Sequence, residues 1–194
     1  MLLIFSNCSR AEQSAISKID SLKNKKILIV YLSRTKNTEA VAKMIQEQVG
    51  GDLLALELQN PYPENYQAHV NQVAAENASD FLPPLKTIIE SIQKYDVVFI
   101  GFPTWGMRLP PPIKTFLTEY DLSGKTIVPF NTNAGYGVGS GFETIKAFCP
   151  HSKVLEGFSV EGGKERDGIL FVMQGEKEIQ VKQTVYNWLK QWKF

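Results

Sequence analysis

Thiols and imidazoles are scarce in this chain. Its 194 residues include two cysteines, Cys8 and Cys149, and two histidines, His69 and His151. None of the four stands in the spacing of a zinc site or of a Ser-His-Asp triad, and two thiols so far apart make a weak case for a disulfide. Cys149, near the end of a predicted helix, is expected to be a half-buried core residue.

An excess of charge of either sign is also lacking. Lys and Arg number 21 against 20 Asp and Glu, so the formal net charge is +1, and this balance calls for neither nucleic acid nor a strongly acidic partner. Hydrophobic residues make up 43% and charged residues 21%, which is typical of a globular protein. The length fits one domain, with or without a short tail.

Long apolar runs are missing. The run at the start, Met1–Phe5, is too short to span a membrane. With Cys8 close behind it, this run resembles the end of a bacterial lipoprotein signal. Acylated Cys8 would then anchor the protein, and residues 9–25 would be the tether. The alternative is a loosely docked tail over residues 1–25 of a cytoplasmic protein. In both cases the folded domain is predicted to span residues 26–194.

Glycine-based phosphate motifs are absent from the loop that follows the first predicted strand. Neither the three spaced glycines of a dinucleotide fingerprint nor a glycine-rich loop ending in Lys-Ser/Thr occurs there. Instead, an apolar run predicts a strand over about 26–32. The helical spacing that follows predicts a helix over about 37–49, with Asn37 or Thr38 as its cap.

Polar residues fill the junction between this strand and this helix, which we call the first loop (residues 33–38). Free N–H groups, the positive end of the helix dipole and side-chain donors converge at such a junction, so it predicts an anion site, with phosphate as the expected anion. An ordinary polar turn is the alternative. The candidate binding residues are Ser33, Arg34, Thr35, Lys36, Asn37 and Thr38.

Strand and helix patterns alternate along the rest of the chain. Further strands are predicted at 52–58, 97–102, 126–130 and 153–160. Further helices are predicted at 69–77, 113–120, 142–148 and 176–192, together with a helical face made of Leu85, Ile88, Ile89 and Ile92. The run 169–173 fits either an edge strand or the start of the last helix.

A tryptophan follows the third strand, in the second loop (residues 103–108). The carboxyl end of a central parallel strand is where open α/β sheets bind ligands, and the Trp105 ring can stack on a flat heterocycle. Gly106 permits close approach of a ligand. A plain core role for Trp105 is the alternative. The candidate residues are Pro103, Thr104, Trp105, Gly106 and Met107.

Four glycines lie within seven residues of the third loop (residues 131–141), which follows the fourth strand. They allow the backbone to run close against a ligand. Tyr136 is either a ring that faces this ligand or an ordinary exposed tyrosine. The candidate residues are Asn131, Thr132, Asn133, Gly135, Tyr136 and Gly137.

The alternation of strands and helices predicts an α/β fold, a three-layer, doubly wound sandwich around a parallel sheet. In a five-stranded sheet with strand order 2-1-3-4-5, the ends of the first, third and fourth strands are neighbours. The three loops are therefore expected to form one site beside the switch point of strand order.

These three stretches resemble those of the flavodoxin family over about residues 26–193. The first loop is similar to the family's FMN-phosphate loop, Ser/Thr-x-Thr-Gly-x-Thr, at Ser33, Thr35, Asn37 and Thr38, with Lys36 at the usual glycine. Pro-Thr-Trp-Gly resembles the loop that binds the isoalloxazine ring. The resemblance implies non-covalently bound FMN, with its phosphate on residues 33–38 and its ring between Trp105 and the third loop.

Three functions fit this resemblance. The first is an electron carrier that docks a redox partner protein. The second is a reductase that uses NAD(P)H and passes electrons to a quinone or another small acceptor; the missing acidic surface favours it, whereas the absence of a nicotinamide motif favours the carrier. The third is a binding module that kept the fold without the flavin. No nucleic acid is expected as a partner, and a membrane only if Cys8 is lipidated.

Overall fold

The computed structural model of the chain describes Leu22 and residues 24–192. The predicted lipidation of Cys8 and most of the predicted tail lie outside the described residues. Leu22 is buried and belongs to the hydrophobic core. None of the helices in the described part is long and apolar enough to cross a membrane.

The described residues form six strands and five α-helices, which alternate except that two strands follow one another before the last helix. The strands are β1 (Ile27–Tyr31), β2 (Asp52–Ala55), β3 (Val97–Pro103), β4 (Thr126–Asn133), β5 (Lys153–Val154) and β6 (Phe158–Glu161). The helices are α1 (Asn37–Val49), α2 (Tyr66–Ala78), α3 (Pro111–Glu119), α4 (Gly141–Phe148) and α5 (Gly175–Leu189).

All strand pairs in the sheet are parallel, and the strand order is β2-β1-β3-β4-β5, with β6 also paired to β4. This confirms the predicted order and the predicted fold class. In β1, Ile27, Ile29 and Tyr31 face the core under α1 and α5, whereas Leu28 and Val30 face the core under α3 and α4. Burial on both faces explains why β1 reads as a continuous apolar run.

The predicted helical face from Leu85 to Ile92 is wrong. Residues 84–87 run alongside the end of β2 instead: Leu85 bridges Leu58, and Thr87 Oγ1 accepts a hydrogen bond from the Glu57 N–H at 2.7 Å and donates one to Ala55 O at 2.9 Å. These bonds hold residues 84–87 in an extended conformation. Ile88 is 79% exposed. The same contacts end β2 at Ala55 rather than at residue 58.

The predicted fifth strand, 153–160, is interrupted. Its two parts, β5 and β6, pair with opposite ends of β4. The chain leaves the ladder between them at Gly157, where the Phe142 ring packs so closely that an added Cβ would lie 2.5 Å from it. Farther on, residues 169–173 form neither an edge strand nor a helix turn, and α5 ends at Leu189 instead of 192.

Candidate cofactor site

A cavity of about 850 Å³ lies at the carboxyl edge of the sheet, where the first, second and third loops meet. This volume is within the range of small-molecule and cofactor sites. The predicted site residues that line the cavity are Arg34, Thr35, Asn37, Pro103, Thr104, Trp105, Gly106, Met107, Thr132, Asn133, Tyr136 and Gly137. Those that do not line it are Ser33, Lys36, Thr38, Asn131 and Gly135.

The first loop turns into α1 at Lys36, which occupies the left-handed region at φ 64° and ψ −1°. Glycine adopts this conformation without steric cost, whereas lysine does not. Lys36 is the residue before the helix and gives it no side-chain cap, so the predicted cap at Asn37 or Thr38 is wrong. The Ser33 hydroxyl accepts the Glu39 N–H at 3.2 Å instead.

Backbone donors remain free at the start of α1. Within the described part of the chain, the N–H groups of residues 35–38 donate to no protein oxygen. They lie at the positive end of a 13-residue helix, where an anion is stabilised. This is the donor arrangement that a phosphate requires.

Two predicted phosphate donors are engaged with the protein itself. Asn37 Nδ2 donates to Thr35 Oγ1 at 2.9 Å and to Leu170 O at 2.6 Å, and Asn37 Oδ1 accepts the Val172 N–H at 3.1 Å. The Thr38 and Thr132 hydroxyls share a buried hydrogen bond of 2.8 Å. These side chains therefore shape the first loop and join it to residues 170–172 and to β4.

Arg34 joins three segments around the first loop. Its Nε donates to both carboxylate oxygens of Glu165, at 2.8 and 2.9 Å. Its two terminal nitrogens donate to Pro63 O at 2.9 Å and to Glu64 O at 2.6 Å. With five donors in a fixed fork, the guanidinium suits such a junction. In this arrangement Arg34 is a part of the cavity wall whose charge is already paired.

The second loop contains a tight turn with two central residues. The Arg108 N–H donates to Trp105 O at 3.0 Å, and the two central residues, Gly106 and Met107, have φ of 55° and 60°. Positive φ at both central positions defines a type I′ turn, which glycine accommodates and methionine does not. Met107 is thus an unfavourable left-handed residue in the cavity wall, and such residues cluster at ligand sites.

Asparagines hold the third loop against the second. Asn131 is fully buried, and its Nδ2 donates to Phe102 O and to Thr104 Oγ1, both at 3.0 Å. Asn133 Oδ1 accepts the N–H groups of Gly135 and Gly137 at 2.8 and 3.1 Å. Asn131 is therefore a support for the site, and Asn133 shapes the turn that carries Tyr136.

Two parts of the cavity wall were not predicted. One is the fourth loop, residues 161–168, which follows β6 and contributes positions 162–167; its place after a strand of the same sheet was the available signal. The other is α2. Its wall residues recur at helical spacing along the whole helix: Tyr66, His69, Val70, Val73, Ala74, Asn77 and Ala78.

Three aromatic rings pack together beside the cavity, and two of them, Trp105 and His69, belong to its wall. The Trp105 ring centroid lies 4.3 Å from that of His69 and 5.3 Å from that of Tyr62, with interplanar angles of 81° and 88°. Burial, and secondarily the Arg34 charge, lower the pKa of His69 to about 4. Burial and a hydrogen bond to Glu76 raise the pKa of Tyr62. All three rings are therefore uncharged at neutral pH.

These features define an α/β protein with one cavity at the carboxyl edge of its sheet, bordered by the loop with free N–H groups at the start of α1 and by the indole of Trp105. A family model described as flavodoxin matches residues 26–173, so the chain belongs to the flavodoxin family. FMN is the cofactor of that family, and the residues present fit it: in the described part of the chain the N–H groups of residues 35–38 have no protein acceptor, and Thr35, Asn37, Trp105 and Tyr136 line the same cavity.

Relatives of known structure share this fold. A candidate flavoprotein from Bacteroides eggerthii is 30% identical, with a TM-score of 0.70, over 87% of this chain and 98% of its own. A flavoprotein from Lactobacillus acidophilus, solved in complex with FMN, is 20% identical, with a TM-score of 0.62, over 75% and 98%. A flavodoxin from Synechocystis is 25% identical over 61% of this chain, and the match spans 58% of that protein's length.

Proposed function

We propose that the protein transfers electrons through non-covalently bound FMN, which supplies the redox chemistry when bound. The observation that carries this proposal is that the loop with the free N–H groups of residues 35–38 and the rings of Trp105 and Tyr136 border one cavity, with Thr35 and Asn37 in its wall. Phosphate and ring ends of one molecule thereby find matching partners on the three loops.

The chain's part at the phosphate end is binding. The N–H groups of residues 35–38 and the Thr35 hydroxyl would hold the phosphate, and the dipole of α1 would stabilise its charge. Arg34 keeps the wall closed on one side through Glu165. Because that guanidinium is already paired, the helix N–H groups are expected to provide most of the attraction.

At the ring end, the chain orients the cofactor and controls access to it. Trp105 and Tyr136 come from neighbouring loops, which are tied by a hydrogen bond from Thr104 Oγ1 to Gly137 O of 3.0 Å. Tyr136 is 64% exposed and Met107 46% exposed. An exposed apolar rim suits direct contact with a redox partner protein, through which electrons would enter or leave.

A second candidate function is a reductase that takes electrons from NAD(P)H and passes them to a quinone or a similar small acceptor. The α2 wall favours it. Val70 and Tyr66 are exposed large apolar residues that border the cavity beside the three loops. They offer a surface for an uncharged second molecule.

Titration with FMN and with riboflavin tests the binding proposal. The FMN-free protein is titrated with each compound while its absorption spectrum is recorded. We expect FMN to bind much more tightly than riboflavin, because only FMN carries the phosphate. Equal affinities would show that the first loop does not bind the phosphate. If the protein takes up neither compound, the function that remains is that of a binding module without a flavin.

Rapid mixing with NADPH separates the two redox functions. Fast bleaching of the flavin absorption, in the absence of any other protein, indicates a reductase. A flavin that NADPH leaves oxidised, but that a chemical reductant bleaches, indicates a carrier. The chemical reductant controls for a flavin that is bound but inaccessible.

A further inference from the structure

The orientation of Trp105 is set from outside its own loop. Trp105, His69 and Tyr62 lie nearly perpendicular to one another, with centroid distances between 4.3 and 5.3 Å. Edge-to-face pairs of this kind are favourable beyond the area they bury. Two rings from the α2 region therefore meet the indole, and together the three residues form what we call the aromatic cluster.

The second loop does not by itself determine where the indole lies. Its backbone is held by the bond between Arg108 and Trp105 and by a bond from the Ser140 N–H to Met107 O of 3.0 Å. Both fix the main chain of the turn. The side-chain torsions of Trp105 are left to packing, which His69 and Tyr62 provide.

The aromatic cluster is anchored on α2. The Tyr62 hydroxyl donates to Glu76, and Gln72 Nε2 donates to the other carboxylate oxygen at 2.9 Å. Glu76 is 6% exposed and His69 4% exposed. The ring that touches Trp105 most closely thus belongs to a buried residue of a regular helix.

The imidazole of His69 contributes as a ring rather than as a hydrogen-bonding group. In the described part of the chain, neither of its nitrogens has a hydrogen-bond partner. A buried polar group without a partner lowers stability. A phenyl ring at this position would preserve the edge-to-face contact and remove that cost.

We propose that His69 is a positioning residue for the FMN ring, acting through Trp105. It fixes the tilt of the indole that borders the ring site, and thereby the surroundings in which the bound flavin is reduced. This rests on the proposed function, in which Trp105 contacts the cofactor. His69 belongs to the cavity wall, but its role here is the contact that it makes with the indole from α2, and this role needs no contact with FMN.

The experiment compares His69→Leu and His69→Phe with the unaltered protein. Three properties are measured: the near-UV circular dichroism of the FMN-free protein, the dissociation constant for FMN, and the midpoint potential of bound FMN. Gln67→Leu is the matched control, because Gln67 lies on the exposed side of the same helix and donates only to Asn71. We expect this control to leave all three unchanged.

His69→Leu is expected to change the tryptophan dichroism, to weaken FMN binding about 3- to 10-fold, and to shift the potential, because the ring contact is lost. His69→Phe is expected to restore all three properties and to raise the midpoint of unfolding. The dichroism change should vanish in a Trp105→Phe background, which separates Trp105 from Trp188 and Trp192.

Each contrary outcome has a distinct meaning. If His69→Leu preserves the potential while Trp105→Leu shifts it, His69 does not act through Trp105 and the proposal is overturned. If His69→Phe fails to restore the potential although it folds, ring geometry is not the property that matters, which also overturns it. If Trp105→Leu leaves affinity and potential unchanged, the assumed ring contact is wrong, and this failure belongs to the proposed function.

Discussion

The first and second loops are held in place by different kinds of interaction. Each holds a non-glycine residue in the left-handed region, Lys36 in one and Met107 in the other, and each borders the same cavity. The first loop is held by charge-assisted and amide hydrogen bonds, through Arg34 and Asn37. In the second loop, backbone hydrogen bonds fix the turn, and the side chain that borders the cavity, Trp105, is held by the packing of rings.

Because of this difference, we expect different substitutions to affect the phosphate end and the ring end of the site. Arg34 bonds a carboxylate and two carbonyls at once, so its removal leaves all three acceptors without that donor. Ring contacts depend on shape, so they tolerate an isosteric exchange and respond to the charge state of the imidazole. The predictions below break one end at a time.

The largest expected effect is that of Arg34→Ala. It leaves Glu165, whose side chain is 21% exposed, without its partner, and it frees two carbonyls. We expect the free energy of unfolding to fall by about 3–4 kcal/mol, together with weaker binding of FMN. Chemical unfolding of the FMN-free protein measures the first effect, and titration with FMN measures the second.

Arg166→Ala is the control for the stability part of this prediction; it does not serve for FMN binding, because Arg166 donates to the Tyr136 hydroxyl at 3.3 Å. Arg166 pairs with Asp167 on the same fourth loop, but their side chains are 64% and 44% exposed. We expect no measurable loss of stability, as is usual for surface ion pairs. Equal losses for the two arginines would show that Arg34 is not a structural junction.

A smaller effect is expected from acid at the ring end. The pKa of His69 is lowered from 6.5 to about 4 in the folded protein, so the unfolded chain takes up the proton first. The contribution of neutral His69 is complete above pH 6.5 and is lost as the pH falls toward 4, by about 2–3 kcal/mol. Unfolding midpoints between pH 7 and 4.5 measure this loss.

The comparison for this prediction is His69→Phe, which should flatten the dependence in that window. The carboxyls of Asp52, Asp121 and Asp167 have pKa values held below 3.8, because each accepts a hydrogen bond from a side-chain donor. Their contributions are therefore lost at lower pH. An unchanged slope in the phenylalanine variant would assign the acid sensitivity to another group.

The smallest effect is expected at Lys36. Lys36→Gly should raise the free energy of unfolding by about 0.5–1 kcal/mol, because glycine relieves the left-handed conformation but loses more backbone entropy. Lys36→Ala keeps the strain and removes the charge. A gain with alanine as large as that with glycine would attribute the effect to the lysine charge.

The loops were predictable because their signal is local. A continuous apolar strand that runs into polar or glycine-rich residues marks the carboxyl edge of a parallel sheet, and the strand order then brings 33–38, 103–108 and 131–137 together. The extended course of residues 84–87 was not predictable, because Thr87 makes its bonds to residues about 30 positions away. Helical spacing alone could not compete with contacts of that kind.

The cap of α1 and the wall at α2 were missed for different reasons. The residue type of Lys36 gave no sign of a left-handed conformation, since lysine rarely adopts that region; its place at the family's usual glycine was the available signal. The α2 wall follows helical spacing, but the same spacing is typical of a stripe that packs on a core. Only the tertiary position of α2 shows that His69 and Val70 border a cavity.

Arg34 also has a consequence for the order in which the site is completed. The bond from Arg34 to Glu165 connects positions 131 residues apart. During synthesis the first loop can fold together with β1 and α1. The cavity wall beside it can form only later, because it requires the chain beyond β6. We therefore expect native-state hydrogen exchange to show the fourth loop opening independently of α1. Without the bond between Arg34 and Glu165, the protein would keep the free N–H groups at the start of α1 and lose the part of the cavity wall beside them.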